Sequence, residues 1–342
     1  HARVPYPSVR PLILRHDASL RHDTGPHPER IARMEAIERE LEARAWLGYA
    51  VRDSAPATDE LIDAVHAPGH RQAIAAACAG GGGALDADTV VSTGSYEAAL
   101  HAAGGAAEVV DVLLAGEAPV AASLHRPPGH HADAGRAMGF CLFNSVAVAA
   151  RHALDAHGLE RVLVLDWDVH HGNGTNDIFH ADPRVLFVSI HQAPLYPGSG
   201  PASDRGSGPG MGYTVNLPVP AGSGDGAYRA LVDHVVVPAA RAYAPQLVLV
   251  SAGFDAHAAD PLAGCTVTEA GFAAMAASVR RLGAELDAPV GLVLEGGYDL
   301  TALATSLAAT LETLARDPGD LPAEVAPPHP LADAAAARLA AA

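Results

Sequence analysis

The stretch VLVLDWDVHHGNGTND, residues 162–177, places acidic and imidazole side chains directly after four apolar residues. An apolar run of this kind is typical of a buried strand, where a carboxylate needs a cation or dense hydrogen bonding. Asp168 and His170 lie two residues apart, so on an extended chain they point to the same side. With a second carboxylate they would bind a divalent metal and leave a position open for water and substrate, as catalytic zinc requires. Asp166 is expected to orient a histidine rather than to bind the metal itself.

Polar residues also follow three other apolar runs of the chain. The runs at residues 119–124, 246–252 and 290–295 are followed by HRPPGHH, GFDAH and GGYD. Among the titratable residues that they contribute are His130, His131, Asp255 and Tyr298. Because the carboxyl ends of parallel strands share one edge of a sheet, where ligands bind, we expect these side chains to meet. The predicted metal ligands are therefore Asp168, His170 and Asp255. The alternative is that Asp168 and His170 only pair with each other or cap a helix.

Regular alternation of two kinds of segment indicates the fold. Short runs rich in Val, Leu and Ile predict buried parallel strands at residues 119–124, 161–166, 184–190, 246–252 and 290–295. Ala-rich stretches between them predict helices at residues 145–158, 226–244 and 269–286. This alternation predicts an α/β fold with a mostly parallel central sheet and helices on both faces. We expect one catalytic domain at residues 1–316 and a Pro/Ala-rich tail with a terminal helix at residues 317–342.

The composition argues against several classes of function. The formal net charge is −17 and every basic residue other than histidine is Arg. Binding to nucleic acid or to an anionic membrane needs basic patches, so neither is expected, whereas a cationic substrate is compatible with this charge. A Walker A loop is excluded because it requires Lys. The Gly/Pro-rich loop at residues 196–212 is not followed by a helix start, so it does not indicate dinucleotide binding.

The cysteines and the N-terminal residues bear on location. Cys78, Cys141 and Cys265 form no CxxC pair, which favours neither a disulfide framework nor a zinc finger and indicates a reducing cytoplasm. No apolar segment of about 18 residues occurs, and the first residues lack the layout of a signal peptide. We therefore expect a cytoplasmic protein, and the sequence leaves open whether it is a homo-oligomer.

Eight motifs occur in order between about residue 16 and residue 312. They are HDTGPHPERI (22–31), RPPGHHA (126–132), GFCLFN (139–144), DWDVHHGNGT (166–175), FVSIH (187–191), YPGSG (196–200), GFDAHAADPL (253–262) and EGGYDL (295–300). In this order they resemble the motifs of the histone deacetylase family, in particular its bacterial class II-like and acetylpolyamine amidohydrolase members. The resemblance implies the single-domain, three-layer arginase/deacetylase fold.

The same resemblance implies a zinc-dependent amidohydrolase that removes acetyl or other acyl groups from acetyl-lysine-like amides by metal-activated water. The implied zinc ligands are Asp168, His170 and Asp255. His131 is implied as the general base, and His130 as an electrostatic partner that Asp166 holds. Tyr298 is implied as the hydrogen-bond donor to the scissile carbonyl.

The resemblance also implies a substrate channel and structural potassium ions. The Gly139 carbonyl would accept the substrate amide N–H, while Phe140 and Tyr196 would wall a narrow channel. One potassium ion would be held by Ser189 and by groups at Asp166, Asp168, His170 and Ile190. The implied residues of a second potassium site are Phe179, Val185 and Tyr213.

Three positions depart from the commonest family pattern. Class I enzymes place a carboxylate beside the second histidine. This chain has Asn173 at that position, and Asn is the class II pattern. Tyr196 stands where Phe is common. Leu262 stands where a polyamine-selective relative has an acidic residue, which favours acetyl-lysine over acetylpolyamine. The substrate itself stays open between an acetylated lysine peptide or protein and an acetylated small amine.

Two other functions remain as alternatives. An arginase-like manganese enzyme would share the fold, but the chain lacks the Gly-Gly-Asp-His segment that a two-metal site needs. A non-catalytic module that binds acyl-lysine would be indicated by loss of Tyr298 or of a site histidine, and all of them are present. Isolated histidines such as His66, His101 and His152 are interpreted as ordinary core or surface residues.

Overall fold

A parallel sheet lies at the centre of the structure, a computed structural model that describes residues 9–341. The strands are β1 (Leu12–Arg15), β2 (Ala50–Asp53), β3 (Gly83–Ala84), β4 (Val90–Val91), β5 (Val120–Ser123), β6 (Val162–Asp166), β7 (Val185–Gln192), β8 (Thr214–Val219), β9 (Leu247–Ala252) and β10 (Val290–Leu294). The antiparallel pair of β3 and β4 stands apart. The other eight strands are all parallel, in the order β2-β1-β5-β10-β9-β6-β7-β8.

Helices cover both faces of this sheet. They are α1 (Ala32–Ala43), α2 (Asp59–Asp63), α3 (Pro68–Ala79), α4 (Ser95–Leu114), α5 (Ser145–Asp155), α6 (Asn173–Phe179), α7 (Asp225–Leu231), α8 (Val237–Tyr243), α9 (Glu269–Leu286), α10 (Leu300–Ala315) and α11 (Pro330–Ala340). A π-helical turn at Val232–Val236 joins α7 to α8. Within residues 9–341, no helix is both long and apolar enough to cross a membrane.

Successive side chains of each strand point to opposite faces of the sheet, so the apolar side chains are divided between two hydrophobic cores. On β6, Leu163 and Leu165 pack with α1, α9 and α10, whereas Val162 and Val164 pack with α4 and α5 on the other face. This arrangement makes three layers with the sheet in the middle. The predicted α/β architecture is therefore confirmed.

The structure contains all five predicted strands, with ends shifted by two residues or fewer, and the predicted helices between them. It adds strands that the pattern did not predict. β1 and β2 have only four residues each, and each ends in a charged residue. β8 contains Asn216 and Pro218, which interrupt its apolar pattern and are tolerated because β8 lies at the edge of the sheet.

The C-terminal segment contains the expected helix, α11. Its Ala332 and Ala335 are buried in the same core as α1, α9 and α10, so the helix packs against the rest of the chain. The division of the chain at residue 316 stays a prediction.

Candidate active site

The four strands that carry the predicted site residues are neighbours in the sheet, although they are far apart in sequence. Their order is β5-β10-β9-β6, and all four run in the same direction. The segments that follow their carboxyl ends carry the two histidines, the tyrosine and the three metal-ligand candidates. These segments meet at one edge of the sheet, as the sequence predicts.

Asp168, His170 and Asp255 form a buried cluster at this edge. One ligand atom of each lies within 4.8 Å of the others, as a shared metal ion requires. The Nδ1 atom of His170 lies 3.1 Å from Asp168 Oδ1 and 3.1 Å from Asp255 Oδ2. The structure thus brings together the three predicted metal ligands.

Backbone N–H groups fix the two carboxylates of this cluster. Asp168 Oδ2 accepts from Gly296 N at 2.9 Å, and Asp255 Oδ1 accepts from Val169 N at 2.8 Å. A Cβ atom at Gly296 would overlap carboxylate oxygens of both aspartates. Only glycine lets the backbone after β10 come this close, which explains its presence in EGGYD.

The charge of the cluster fits a divalent cation. Asp168 and Asp255 are both 0% exposed. Burial, followed by the neighbouring Asp168 carboxylate, raises the pKa of Asp255 to about 7, because a second buried negative charge is costly. A cation between the carboxylates would remove that cost. Two carboxylate oxygens and one imidazole nitrogen are a donor set that zinc accepts, so the residues fit an ion of this type.

The adjacent histidines, His130 and His131, have different partners. His131 Nδ1 lies 2.8 Å from Asn173 Oδ1, which can only accept, so the proton is on Nδ1 and Nε2 keeps its lone pair. Asn173 Nδ2 donates to the His131 carbonyl oxygen at 3.3 Å, which supports this orientation of the amide. His130 Nδ1 donates to Asp166 Oδ2 at 2.9 Å. One ring is therefore held by a neutral amide and the other by a carboxylate.

These surroundings move the pKa values of the two histidines in opposite directions. Burial lowers the pKa of His131 well below its usual value, and the nearby rings of His130 and His170 lower it further. Burial acts in the same direction on His130, but the carboxylates of Asp168 and Asp166 outweigh it and raise the pKa of His130. His131 is thus suited to accept a proton and His130 to carry a positive charge.

Tyr298 is held by a buried arginine that has no signal in the sequence pattern. The Arg33 guanidinium lies 5.0 Å from the centre of the Tyr298 ring and donates to the carbonyl oxygens of Glu295 and Gly297 at 2.6 and 2.7 Å. Asp260 Oδ2 accepts from Tyr298 N at 2.7 Å. Burial raises the pKa of Tyr298, so its hydroxyl keeps its proton at neutral pH. Arg33 is fully buried, and nothing in the sequence pattern distinguishes it from the other arginines near α1.

Glu295 directly precedes the two glycines of the EGGYD motif. It is a second residue whose importance is visible only in the structure. Its Oε2 accepts from the backbone N–H groups of Gly129 and His130 at 2.6 and 3.1 Å, and its Oε1 accepts from Ser251 Oγ at 2.9 Å. Burial raises the pKa of Glu295 to about 7. The side chain therefore fixes the turn that carries the histidine pair.

A pocket of about 210 Å³ reaches this cluster from the surface. Its lining residues are Asp88, His131, Gly139, Phe140, His170, Leu195, Tyr196, Leu262 and Tyr298. The rings of Phe140 and Tyr298 meet edge to face with centroids 5.6 Å apart, and those of Tyr196 and His131 do so at 5.2 Å. The predicted channel residues Gly139, Phe140 and Tyr196 all line this pocket, and so does Leu262, which stands where a polyamine-selective relative has an acidic residue. Asp88 adds a carboxylate that the sequence pattern did not indicate.

The turn at Gly139 and Phe140 shapes one wall of the pocket. Both residues have positive φ, 56° and 70°, in the left-handed region. A Cβ atom at Gly139 would overlap the His131 ring, so the backbone packs directly on this histidine. The turn thereby holds the Phe140 ring in the wall and supports the predicted base.

Comparison with known proteins identifies the family of the chain. The family model for the histone deacetylase domain matches residues 27–314 of the chain. The chain belongs to the histone deacetylase family. The chloroplastic histone deacetylase 14 of Arabidopsis thaliana is similar, with 40% identity over 322 residues, which cover 89% of this chain and 76% of that protein. The histone deacetylase-like amidohydrolase of Pseudomonas aeruginosa is 41% identical over 303 residues, covering 87% and 78%.

A solved structure from the deacetylase family supports the same conclusion. The crystal structure of the HDA15 HD domain matches with a TM-score of 0.89 and 35% identity, covering 96% of this chain and 93% of that one. The predictions of the family, of its fold and of an amide-hydrolysing deacetylase class of enzyme are therefore confirmed. The individual roles of the site residues, the zinc ion and the potassium ions stay predictions.

The residues predicted to hold the first potassium ion in this deacetylase lie in or beside the metal-ligand cluster. Asp166 is paired in register with Ser189 on β7, and Ile190 is the next residue of that strand. The residues predicted for a second ion, Phe179, Val185 and Tyr213, lie at the end of α6, at the start of β7 and just before β8. Both potassium sites stay predictions.

The neutral partner of His131 leads to a prediction about pH dependence. Asn173→Asp places a carboxylate 2.8 Å from Nδ1, where it stabilises the imidazolium and raises the pKa of His131. Because the neutral ring is needed as a base, turnover is lost as the pH falls through this pKa. The acidic limb of the kcat/KM profile should therefore move to higher pH by about one unit or more.

Asn176→Asp is the matched control for this measurement. It adds the same charge to the same helix, but Asn176 contacts Asp204 and Asn216 rather than His131. Its acidic limb should stay in place. An unmoved limb in Asn173→Asp, in a protein with wild-type melting temperature, would refute His131 as the titrating base.

Proposed function

We propose that this deacetylase is zinc-dependent and hydrolyses the amide of acetyl-lysine-like side chains. One observation carries the proposal. Asp168, His170 and Asp255 adjoin a single pocket, and His131 and Tyr298 also line this pocket. A metal-ligand group, a proton acceptor and a hydrogen-bond donor are the three parts that amide hydrolysis by water needs.

Zinc would be held by Asp168, His170 and Asp255, whose donor atoms match its preference for nitrogen and oxygen ligands. When bound, zinc supplies Lewis-acid chemistry by polarising an amide carbonyl and lowering the pKa of water. We also propose potassium beside Asp166 and Ser189, where two strand ends meet in register. A second potassium ion is proposed near Phe179, Val185 and Tyr213.

The remaining steps fall to the side chains of the pocket. His131 Nε2 takes a proton from the attacking water, because its own proton is committed to Asn173 through Nδ1. The same Nε2 then delivers the proton to the departing amine nitrogen. The Tyr298 hydroxyl, which makes no hydrogen bond to other groups of residues 9–341, donates to the carbonyl oxygen as negative charge develops. The Gly139 carbonyl accepts the amide N–H of the substrate.

The walls of the pocket favour an acyl-lysine substrate. Phe140, Tyr196, Leu195 and Leu262 present rings and aliphatic groups, which suit the methylene chain of lysine. An acetylated polyamine is the second candidate, and Asp88 is the observation that supports it. Its carboxylate lines the same pocket and would attract a second amine, in a chain of net charge −17.

The cysteines and the net charge support proposals about cellular location and binding partners. The three cysteines are free and buried, which suits a reducing cytoplasm. The charge of −17 supports neither nucleic acid nor an anionic membrane as a partner. The expected partners are acetylated peptides, proteins or small amines, and the protein could function as a homo-oligomer.

Metal reconstitution with two substrates tests the proposal. Metal-stripped protein should regain hydrolysis of an acetyl-lysine peptide with Zn²⁺, and kcat/KM for this peptide should exceed that for an acetylated polyamine by about tenfold or more. The pocket offers the second ammonium group of a polyamine only the Asp88 carboxylate, because Leu262 is apolar. A difference of about 1.4 kcal/mol in transition-state binding changes kcat/KM tenfold.

Leu262→Glu and Leu262→Gln form a matched pair for the same assay. Only the Glu variant adds a charge, so only it should raise kcat/KM for the polyamine. Reactivation by two Mn²⁺ ions per chain but not by Zn²⁺ would contradict the zinc proposal. Preference of the unaltered protein for the polyamine would establish the second candidate instead.

A further inference from the structure

Asp111, His152 and His157 form a second cluster of metal-ligating side chains, separate from the catalytic pocket. Asp111 Oδ1 lies 2.6 Å from His152 Nε2 and 2.7 Å from His157 Nε2. One ligand atom of each lies within 4.8 Å of the other two. The interpretation of His152 as an ordinary residue missed this cluster, because 41 and 46 residues separate Asp111 from the two histidines.

The cluster lies at the edge of the sheet opposite the catalytic pocket. Asp111 is in the last turn of α4, which leads to β5, and His152 is in the last turn of α5, which leads to β6. His157 lies in the turn between α5 and β6. Catalytic residues follow the carboxyl ends of these strands, whereas this cluster precedes their amino ends. The five residues of β6 alone separate the two edges by about 16 Å, at about 3.3 Å per residue.

The charge at this position favours a cation. Within residues 9–341 the two histidines are the only ion-pair partners of Asp111, so no arginine neutralises its carboxylate. The C-terminal ends of α4 and α5 both lie here, and each adds the negative end of a helix dipole. With neutral imidazoles the cluster therefore carries an uncompensated negative charge.

The donor atoms can bind a metal without loss of other contacts. In the part of the chain that the structure describes, neither histidine uses Nδ1 in a hydrogen bond. Each ring proton can therefore move to Nδ1 and leave a lone pair on Nε2. The side chains of His152, His157 and Asp111 are 16%, 29% and 50% exposed, which leaves access for a metal and for water as a further ligand.

We propose that Asp111, His152 and His157 form a second transition-metal site, of the class that zinc fills. Two imidazole nitrogens, one carboxylate oxygen and water complete the coordination that zinc prefers. The bound ion would tie the ends of α4 and α5 to the turn that begins β6. Within residues 9–341 no group holds the Nδ1 atoms, and such groups typically change metal affinity 10–100-fold, so the site should fill after the catalytic one.

Titration of metal-stripped, full-length protein with Zn²⁺ alone tests this proposal by calorimetry. The unaltered protein should bind two zinc ions per chain, and His152→Ala and His157→Ala should each bind one. Asp155→Asn is the matched control, since it removes a 54% exposed carboxylate from the same end of α5 outside the cluster. It should bind two ions.

Thermal stability and turnover give independent readouts. The second equivalent of Zn²⁺ should raise the melting temperature of the unaltered protein by about 2–4 °C and leave that of His157→Ala unchanged, because a ligand of the native state stabilises only where it binds. Zinc-loaded His157→Ala should keep wild-type turnover. If the alanine variants fold poorly, Asp111→Asn is the alternative variant. Asn has the shape of Asp and keeps a hydrogen-bond acceptor for both imidazole rings, and this variant should also bind one zinc ion. Equal zinc counts in the unaltered protein and the cluster variants would overturn the proposal, whatever happens at the catalytic site.

Discussion

Asp255→Ala is expected to lose both bound zinc and nearly all turnover of an acetyl-lysine peptide. The substitution removes one of three predicted ligands, and His170 Nδ1 loses one of the two carboxylate oxygens that lie 3.1 Å away. A catalytic metal supplies several kcal/mol of charge stabilisation, and a loss of about 4 kcal/mol is about a thousandfold in kcat. Zinc content and steady-state kcat are measured on the same sample. The His157→Ala background is used so that only one metal site is counted.

Asp260→Asn is the control for the metal content. Asp260 is a buried carboxylate of the same loop, but its oxygens accept from the backbone N–H groups of Leu262 and Tyr298 at 2.9 and 2.7 Å. This variant should keep the zinc content of its parent. An Asp255→Ala protein that retains one zinc ion per chain would contradict the assigned metal centre.

Tyr298→Phe is expected to reduce kcat by about a hundred- to a thousandfold while KM changes little. The ring stays in place against Phe140 and under Arg33, so packing is preserved and only the hydroxyl is lost. Removal of one donor to a developing oxyanion typically costs about 3–4 kcal/mol of transition-state stabilisation. The substrate carbonyl carries less charge in the ground state, so affinity should be affected far less. Steady-state kinetics on an acetyl-lysine peptide measure both effects.

Tyr196→Phe is a matched control within the same pocket. It also deletes one phenol hydroxyl, but Tyr196 is in the pocket wall, 39% exposed, and is not assigned to the oxyanion. This variant should keep most of its turnover. A Tyr298→Phe protein with full zinc content and more than about a third of wild-type kcat would remove Tyr298 from the reaction. The oxyanion donor would then have to be another group of the pocket.

The parts of the fold that the sequence predicts are those with a strong local period. β6, β7, β9 and β10 are mostly apolar because both faces of the sheet are covered, and such runs are visible without any knowledge of their neighbours. β1, β2 and β8 escape prediction because short length or polar residues weaken the pattern. Their pairing with neighbouring strands defines them, and that information is not local.

The same distinction applies to the candidate site. Asp168, His170, Asp255, the histidine pair and Tyr298 are predictable because each follows an apolar run, and all parallel strands present their carboxyl ends at one edge. Arg33 and Glu295 are not predictable in this way, because their function depends on burial and on contacts with Tyr298 and with the His130 turn.

The sequence by itself determined which residue types arrive at the catalytic edge, since the period of the strands and the residues after them are local properties. Only the tertiary structure decided which of them touch. The order β5-β10-β9-β6 makes distant segments neighbours, and the contact with Asn173 selects the proton position on His131. The meeting of Asp111 with His152 and His157 likewise follows from the packing of α4 on α5. Long-range packing sets these contacts, and no local pattern records it.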